Sequence, residues 1–203
     1  MVKIPYREPV KHPFLGARTH NTVLVLEVMT DDGCTGVSYV AIQSARQIAA
    51  IREIVLDLEA ALVGKDPCAN ELIFDLMWKL TVDLLHDGAT NIAIALIDIA
   101  LWDIKGKLAG LPLWRLLGGS RRKVRTYDSD TLWRHMGPDR LQSEGADSVA
   151  KGFDAMKLRL GAQPMAQDVA RVRALREAVG PDVTILTDLL WGFRPDEAIR
   201  LSR

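Results

Sequence analysis

Three apolar segments in the second half of the chain each end in polar side chains. Lys157 and Arg159 stand two apart in Phe153–Arg159 (FDAMKLR), alternating with Met156 and Leu158. Asp188 closes Val183–Asp188 (VTILTD). Tyr127, Asp128, Ser129 and Asp130 close Lys123–Ser129 (KVRTYDS). In extended backbone, residues two apart share a face, so both cations point one way while Met156 and Leu158 point the other. Two cations on a shielded face need an anion to offset their desolvation. A protein carboxylate such as Asp188, a bound carboxylate, or both would serve. An aspartate at the carboxyl end of a strand is also placed to hold a hard cation through oxygen.

The elements around these residues alternate. The spacing predicts a strand at Lys123–Ser129, a helix at Pro138–Gly152, a strand at Phe153–Arg159, a helix at Asp168–Val179 with Val169, Val172, Leu175 and Val179 on its apolar face, a strand at Val183–Asp188, and a helix from Pro195. Strand–helix alternation of this kind predicts parallel βαβ units. No G-x-G-x-x-G follows a strand and no phosphate-binding lysine loop occurs, which favours a barrel over a nucleotide-binding sheet. The first half reads differently. Residues 1–22, rich in proline and glycine, are expected to be extended or loop. Thr22–Met29 and Thr35–Ala41 flank Asp31-Asp32-Gly33 as a β-hairpin. Helices are expected over about 44–63 with Ser44 as cap, from Asp66-Pro67 to about Leu85, and over about 89–109 with a small-residue face of Ala89, Ala93, Ala95 and Ala100. A boundary falls near Gly118-Gly119, dividing 1–118 from 119–203.

Composition narrows the function classes. The 203 residues carry 26 lysines plus arginines and 26 aspartates plus glutamates, a formal net charge of zero, which suggests neither a nucleic-acid nor a membrane partner. The two cysteines, Cys34 and Cys68, have no ligand spacing and read as packed free thiols. The longest apolar region, Ile92–Trp102, is interrupted by Asp98 and is too short to span a bilayer. The N-terminal residues contain no apolar signal core, so a cytoplasmic location is expected. His86 and His135 read as structural or solvated.

The stretch Ala93–Gly119 (AIALIDIALWDIKGKLAGLPLWRLLGG) resembles the signature of the mandelate racemase and muconate lactonizing branch of the enolase superfamily. Asp31–Tyr39, Tyr127-Asp128-Ser129, Lys157-Leu158-Arg159 and Thr187-Asp188 follow in that family's order, and the mandelate racemase-like subgroup looks closest. The resemblance implies an α+β capping domain (β-hairpin plus three helices, 1–118) followed by the first three βα units of a (β/α) TIM-type barrel (119–203). It implies a divalent cation, usually Mg2+, that binds a substrate carboxylate while a base removes the α-proton. Carried onto this sequence, Asp188 is the first metal ligand, Lys157 contacts the substrate carboxylate, and Arg159 occupies the position of the base. His12 and Phe14, in a loop spanning His12–His20, together with Tyr127 and Ser129, are expected to bind substrate. Arginine stays protonated and is a poor base, so an acid-sugar (hydroxy acid) dehydratase is expected ahead of a racemase, epimerase or cycloisomerase. Leu190 stands where the family often has asparagine.

The remaining ligands and acid–base groups of that family lie on later strands. A complete barrel takes about 250 residues, so this chain is expected to be an N-terminal fragment, inactive alone, from an enzyme acting on a small carboxylate (sugar acid or 2-hydroxy acid) as a homo-oligomer. A non-catalytic oligomerisation module is the contrasting expectation.

Overall fold

The computed structural model describes residues 1–12, 16–42, 44–120, 122–189 and 193–202. It forms two compact units. The first comprises Met1–Glu8 and Thr19–Arg122, and the second comprises Pro9–Arg18 and Lys123–Arg203. Among the described residues no helix is long and apolar enough to cross a membrane.

Strands β1 (Val2–His12), β2 (Gly16–Met29) and β3 (Thr35–Ile42) form a three-stranded sheet in that order, with Val2–Glu8, Thr19–Met29 and Thr35–Ile42 in the first unit. β2 and β3 pair antiparallel from Thr22↔Ile42 to Met29↔Thr35. Gly33 turns the connection with φ 87°, a conformation that disfavours side chains. Of the extended-or-loop reading of residues 1–22, the described part takes the extended form, as strand at Val2–His12 and from Gly16 onward. Pro5 and Pro9 fit there because proline is tolerated on an edge strand, and β1 is an edge. The expected His12–His20 loop shrinks accordingly, with Gly16–His20 inside β2.

Helices α1 (Ala45–Leu62), α2 (Asn70–Leu80) and α3 (Ala89–Leu108) cover this sheet unit. Ser44 caps α1 by accepting from the Gln47 N–H. Asp66 does not open α2. Its carboxylate accepts the Cys68 N–H at 2.8 Å in a turn, and the helix starts at Asn70. A short 3-10 turn, Val82–Leu84, replaces the expected last turn of α2. His86 stacks on Trp78 at 3.6 Å between ring centroids, which makes it structural.

The residues that carry the family resemblance do packing work. α3 buries Ala93, Ile94, Leu96, Ile97, Ala100, Leu101 and Ile104, while Ala95 is exposed. A Cβ at Gly36 of β3 would lie 2.1 Å from the Ala100 carbonyl oxygen, so strand and helix meet backbone to backbone. Asp103 accepts the Val37 N–H at 2.8 Å and pairs with Lys107 at 2.7 Å, and Lys107 also donates to the Thr35 carbonyl. The Lys107 hydrogen bond, more than its charge, holds the Asp103 carboxyl below its ordinary pKa. A four-residue helix, α4 (Leu113–Leu116), closes the segment.

In the second unit, α5 (Pro138–Ala150), β4 (Ala155–Arg159), α6 (Met165–Val179), β5 (Thr184–Asp188) and α7 (Pro195–Leu201) alternate. β4 and β5 pair parallel with Lys157↔Leu186 and Arg159↔Asp188 in register. The expected strand at Lys123–Ser129 reduces to one parallel bridge, Asp128↔Met156. Val124 is 80% exposed, so that end lacks the apolar contact that would hold a longer ladder. Leu132, Met136, Leu141, Met156, Leu158, Leu160, Leu175 and Val179 form the core. Gly145 admits α6: a Cβ there would sit 2.5 Å from Leu175 Cδ1.

Candidate active site

The alternation along β4 sorts its side chains. Met156 and Leu158 are fully buried in the core, whereas Lys157 and Arg159 are partly exposed on the opposite face. The parallel register brings Asp188 beside this end of β4, and Lys157 Nζ lies 3.4 Å from Asp188 Oδ2. Their side chains keep only 21% and 27% exposure, so solvent screens this pair less than an open surface pair. Lys157 Nζ also lies 6.0 Å from the Tyr127 ring centroid, at the outer reach of a cation–π contact.

Arg159 is held on two sides. Its guanidinium stacks on Trp133 at 4.1 Å, Nη2 donates to the Ser129 carbonyl at 2.7 Å, and Nη1 is buried with no acceptor among the described residues. Burial lowers its pKa, against the opposing pull of Asp188, Asp130, Tyr127 and Asp128. The group stays charged, since guanidinium is not deprotonated in proteins. Ser129 thus meets Arg159 through its backbone, while Tyr127 presents its ring to Lys157. His12 closes β1, but its side chain, like Phe14 and Leu190, lies outside the described residues.

Asp128 faces away from this cluster. It is buried, and its carboxylate accepts from Ser148 Oγ on α5, Thr131 Oγ1 (3.1 Å) and the Asp130 N–H (3.0 Å). Burial pushes its pKa up, but the Ser148, Asp130 and Thr131 hydrogen bonds and the Lys151 charge outweigh it and leave the pKa lowered. This aspartate anchors the bridge segment to α5.

Three further residues build the site and were not singled out from the sequence. Arg171 on α6 is buried and donates to the carbonyls of Met136 (3.0 Å), Trp133 (3.0 Å) and Arg159 (3.2 Å), and to Asp168 Oδ1 (2.8 Å). Asp168, completely buried, also accepts the Gly161 N–H at 2.8 Å. The pair therefore ties the loop through Trp133–Met136 to the end of β4 and to the turn after it. The only sequence signal was the i, i+3 spacing of Asp168 and Arg171, masked by the apolar reading of the same helix. Arg134, on that loop, is 5% exposed, with Nε and Nη1 lacking any acceptor among the described residues.

Asp188 suits one oxygen ligand of a hard divalent cation. Among the described residues no group of three or more His, Cys, Asp or Glu side chains could hold a metal ion, so these residues do not enclose one by themselves.

Comparison with known proteins gives these positions a context. Residues 1–118 match the family model for the mandelate racemase / muconate lactonizing enzyme N-terminal domain, and residues 140–203 match that for the enolase C-terminal domain-like family. The chain is 33% identical over 182 residues to arabinonate dehydratase of Saccharolobus solfataricus, covering 89% of this chain and 48% of that protein. It is 36% identical over 183 residues to D-galactarolactone cycloisomerase of Agrobacterium fabrum, covering 88% and 47%. A crystal structure of L-talarate dehydratase from Polaromonas sp. JS666 with Mg and L-glucarate superposes with a TM-score of 0.84 at 29% identity, covering 98% of this chain and 54% of that one. The chain spans about half the length of the curated relatives it matches.

Proposed function

Since the chain belongs to the mandelate racemase and muconate lactonizing enzyme family of the enolase superfamily, we propose that it supplies the capping domain (1–118) and the opening βα units (119–203) of an enzyme that removes the proton α to a carboxylate. The observation that carries this reading is the Lys157–Asp188 pair at the matched carboxyl ends of two parallel strands. Asp188 would be one ligand of Mg2+, which, when bound, neutralises charge developing on the substrate carboxylate. Lys157 would place its ammonium on that carboxylate and Tyr127 would wall its other side. Ser129, His12 and Phe14 would complete the substrate pocket in a cytoplasmic homo-oligomer.

Arg159 favours a lyase over a two-base racemase. A base must shed its proton, and a stacked, hydrogen-bonded guanidinium does not. Its role is electrostatic and orienting, which suits dehydration of a sugar acid by a base on another strand. The isomerase reading has the cycloisomerase relative in its favour and the arginine against it.

The test is solvent deuterium exchange at Cα of sugar acids by an enzyme of the relatives' full length, with Mg2+. Exchange should fall by about a hundred- to a thousandfold in Asp188→Asn and Lys157→Met, the range for groups that stabilise transition-state charge. Exchange that survives in Asp188→Asn refutes the reading. The 203-residue chain alone should show no exchange.

A further inference from the structure

In the first unit, helices α2 and α3 border a cleft of about 270 Å³ that the α-proton chemistry does not use. Asn70, Glu71, Phe74 and Asp75 of α2 line it, with Asp98 and Trp102 of α3. The lining thus carries three carboxylates and no cation. None of the three carboxylates has an ion pair or a hydrogen bond among the described residues. Glu71 and Asp75 stand one helical turn apart, a spacing at which like charges repel. Asp98 is half-buried, and burial alone raises its pKa, with no neighbouring cation to offset it.

Asn70 is an independent sign of a missing partner. It is 4% exposed and lines the cleft, and its Oδ1 and Nδ2 are both buried without a hydrogen bond among the described residues. Buried polar side chains ordinarily find partners within the fold. Glu71 and Phe74 at the rim are exposed, so their side chains are free to change rotamer as a ligand enters.

The other groups narrow the chemistry of that ligand. Among the described residues no three His, Cys, Asp or Glu side chains could hold a metal ion, so the carboxylates do not converge on one compact cation. Trp102 already takes an ammonium: Lys105 Nζ lies 4.9 Å from its ring centroid, and that lysine, which does not line the cleft, donates to the Cys68 carbonyl at 3.1 Å. Aromatic faces attract ammonium groups and also pack against methylenes. Separate carboxylates interleaved with aromatic rings match a cation whose charges are separated by alkyl segments. The volume is near the lower end for small-ligand pockets, about 300 Å³. We propose that this cleft binds a linear alkyl polyamine, with ammonium groups on Glu71, Asp75 and Asp98 and a methylene segment against Phe74 and Trp102. Asn70 Oδ1 accepts an ammonium N–H at the buried end.

The probe is spermidine, titrated into the 203-residue protein at ionic strength matched with NaCl, with butylamine and Mg2+ as controls. The readouts are the NMR signals of the Asn70 side-chain NH2 and the Trp102 indole N–H, together with calorimetric affinity. Spermidine should shift both signals saturably and bind at least about tenfold tighter than butylamine or Mg2+. Asp98→Asn should lose at least about tenfold in spermidine affinity, whereas Asp31→Asn, in the exposed hairpin turn, should lose nothing. The amide should keep the fold, because burial already favours an uncharged group at position 98. Unmoved Asn70 and Trp102 signals, equal affinities for spermidine and Mg2+, or undiminished binding in a folded Asp98→Asn each overturn the proposal. Oligolysine that moves the same signals at lower concentration than spermidine assigns the cleft to a protein partner and overturns it as well. The wild-type signals decide the matter should the variant fail to fold. No proton is removed from carbon in this titration, so its failure and the failure of the α-proton reading are separate results.

Discussion

Replacing Arg171 with methionine should unfold the candidate site. The side chain is 2% exposed and its partner Asp168 0%. Arg171 makes four hydrogen bonds, three of them to the carbonyls of Trp133, Met136 and Arg159. Removing one member of a buried ion pair costs about 3–5 kcal/mol, because the other charge is left without compensation. That is a large share of a domain stability of roughly 5–15 kcal/mol. Replacing both members, as in Asp168→Leu with Arg171→Met, removes the stranded charge but takes these partners from the Met136 and Arg159 carbonyls and the Gly161 N–H, while the Trp133 carbonyl keeps the Met136 N–H. At about 1–3 kcal/mol per unsatisfied buried group before water or rearrangement intervenes, the double variant should recover only part of the loss. The measurement is native-state amide exchange at Lys157, Arg159 and Leu160, whose N–H groups bond to Asp128, Leu132 and Asp188 carbonyls inside the second unit. Exchange there reports this unit directly, whereas a bulk unfolding curve would mix two units. Protection should fall by about two to four powers of ten in Arg171→Met, at about 1.4 kcal/mol per decade. Strictly additive single and double variants, or a single-variant cost under about 1 kcal/mol, would refute the clamp.

Other outcomes follow from the same contacts. Gly36→Ala should destabilise the first unit by about 3 kcal/mol, since the new Cβ meets a backbone oxygen at 2.1 Å that has no rotamer to yield; native-state amide exchange along the β2–β3 ladder checks it. The second unit should lose stability in acid through Asp128. Its folded pKa is lowered from 3.8, so its contribution is complete above that unfolded value and disappears as pH falls below it through the depressed folded value. Native-state amide exchange at Lys157 and Arg159 between pH 2 and 6, corrected for the intrinsic exchange rate, should show this slope, and Ser148→Ala should flatten it by removing the largest opposing hydrogen bond.

The elements were largely legible because their signals are local. Alternation in Phe153–Arg159 put Met156 and Leu158 into the core and both cations on the other face. Ser44 capped α1 as its side-chain chemistry demands, and Gly33 closed the hairpin turn. The errors were contextual. The extended-or-loop reading of the proline-rich start did not say that β1 pairs at a sheet edge, since sheet order cannot be read from one segment. Asp66-Pro67 has the composition of a helix start but forms a turn, since its carboxylate finds the nearby Cys68 N–H first. Lys123–Ser129 has strand composition, yet Asp128 alone makes the bridge.

The candidate site divides along the same line. Sequence by itself determined which residues could carry charge chemistry, their strand ends and their shared faces, because periodicity two follows from backbone geometry alone. Only the tertiary structure decided their partners. The parallel register set Asp188 beside Lys157, the loop through Trp133–Met136 brought Arg134 toward Arg159, and a buried Asp168–Arg171 pair locked that loop to β4. Those contacts join residues tens of positions apart. Their energies depend on burial and on which donors find acceptors, and neither quantity exists until the chain has folded.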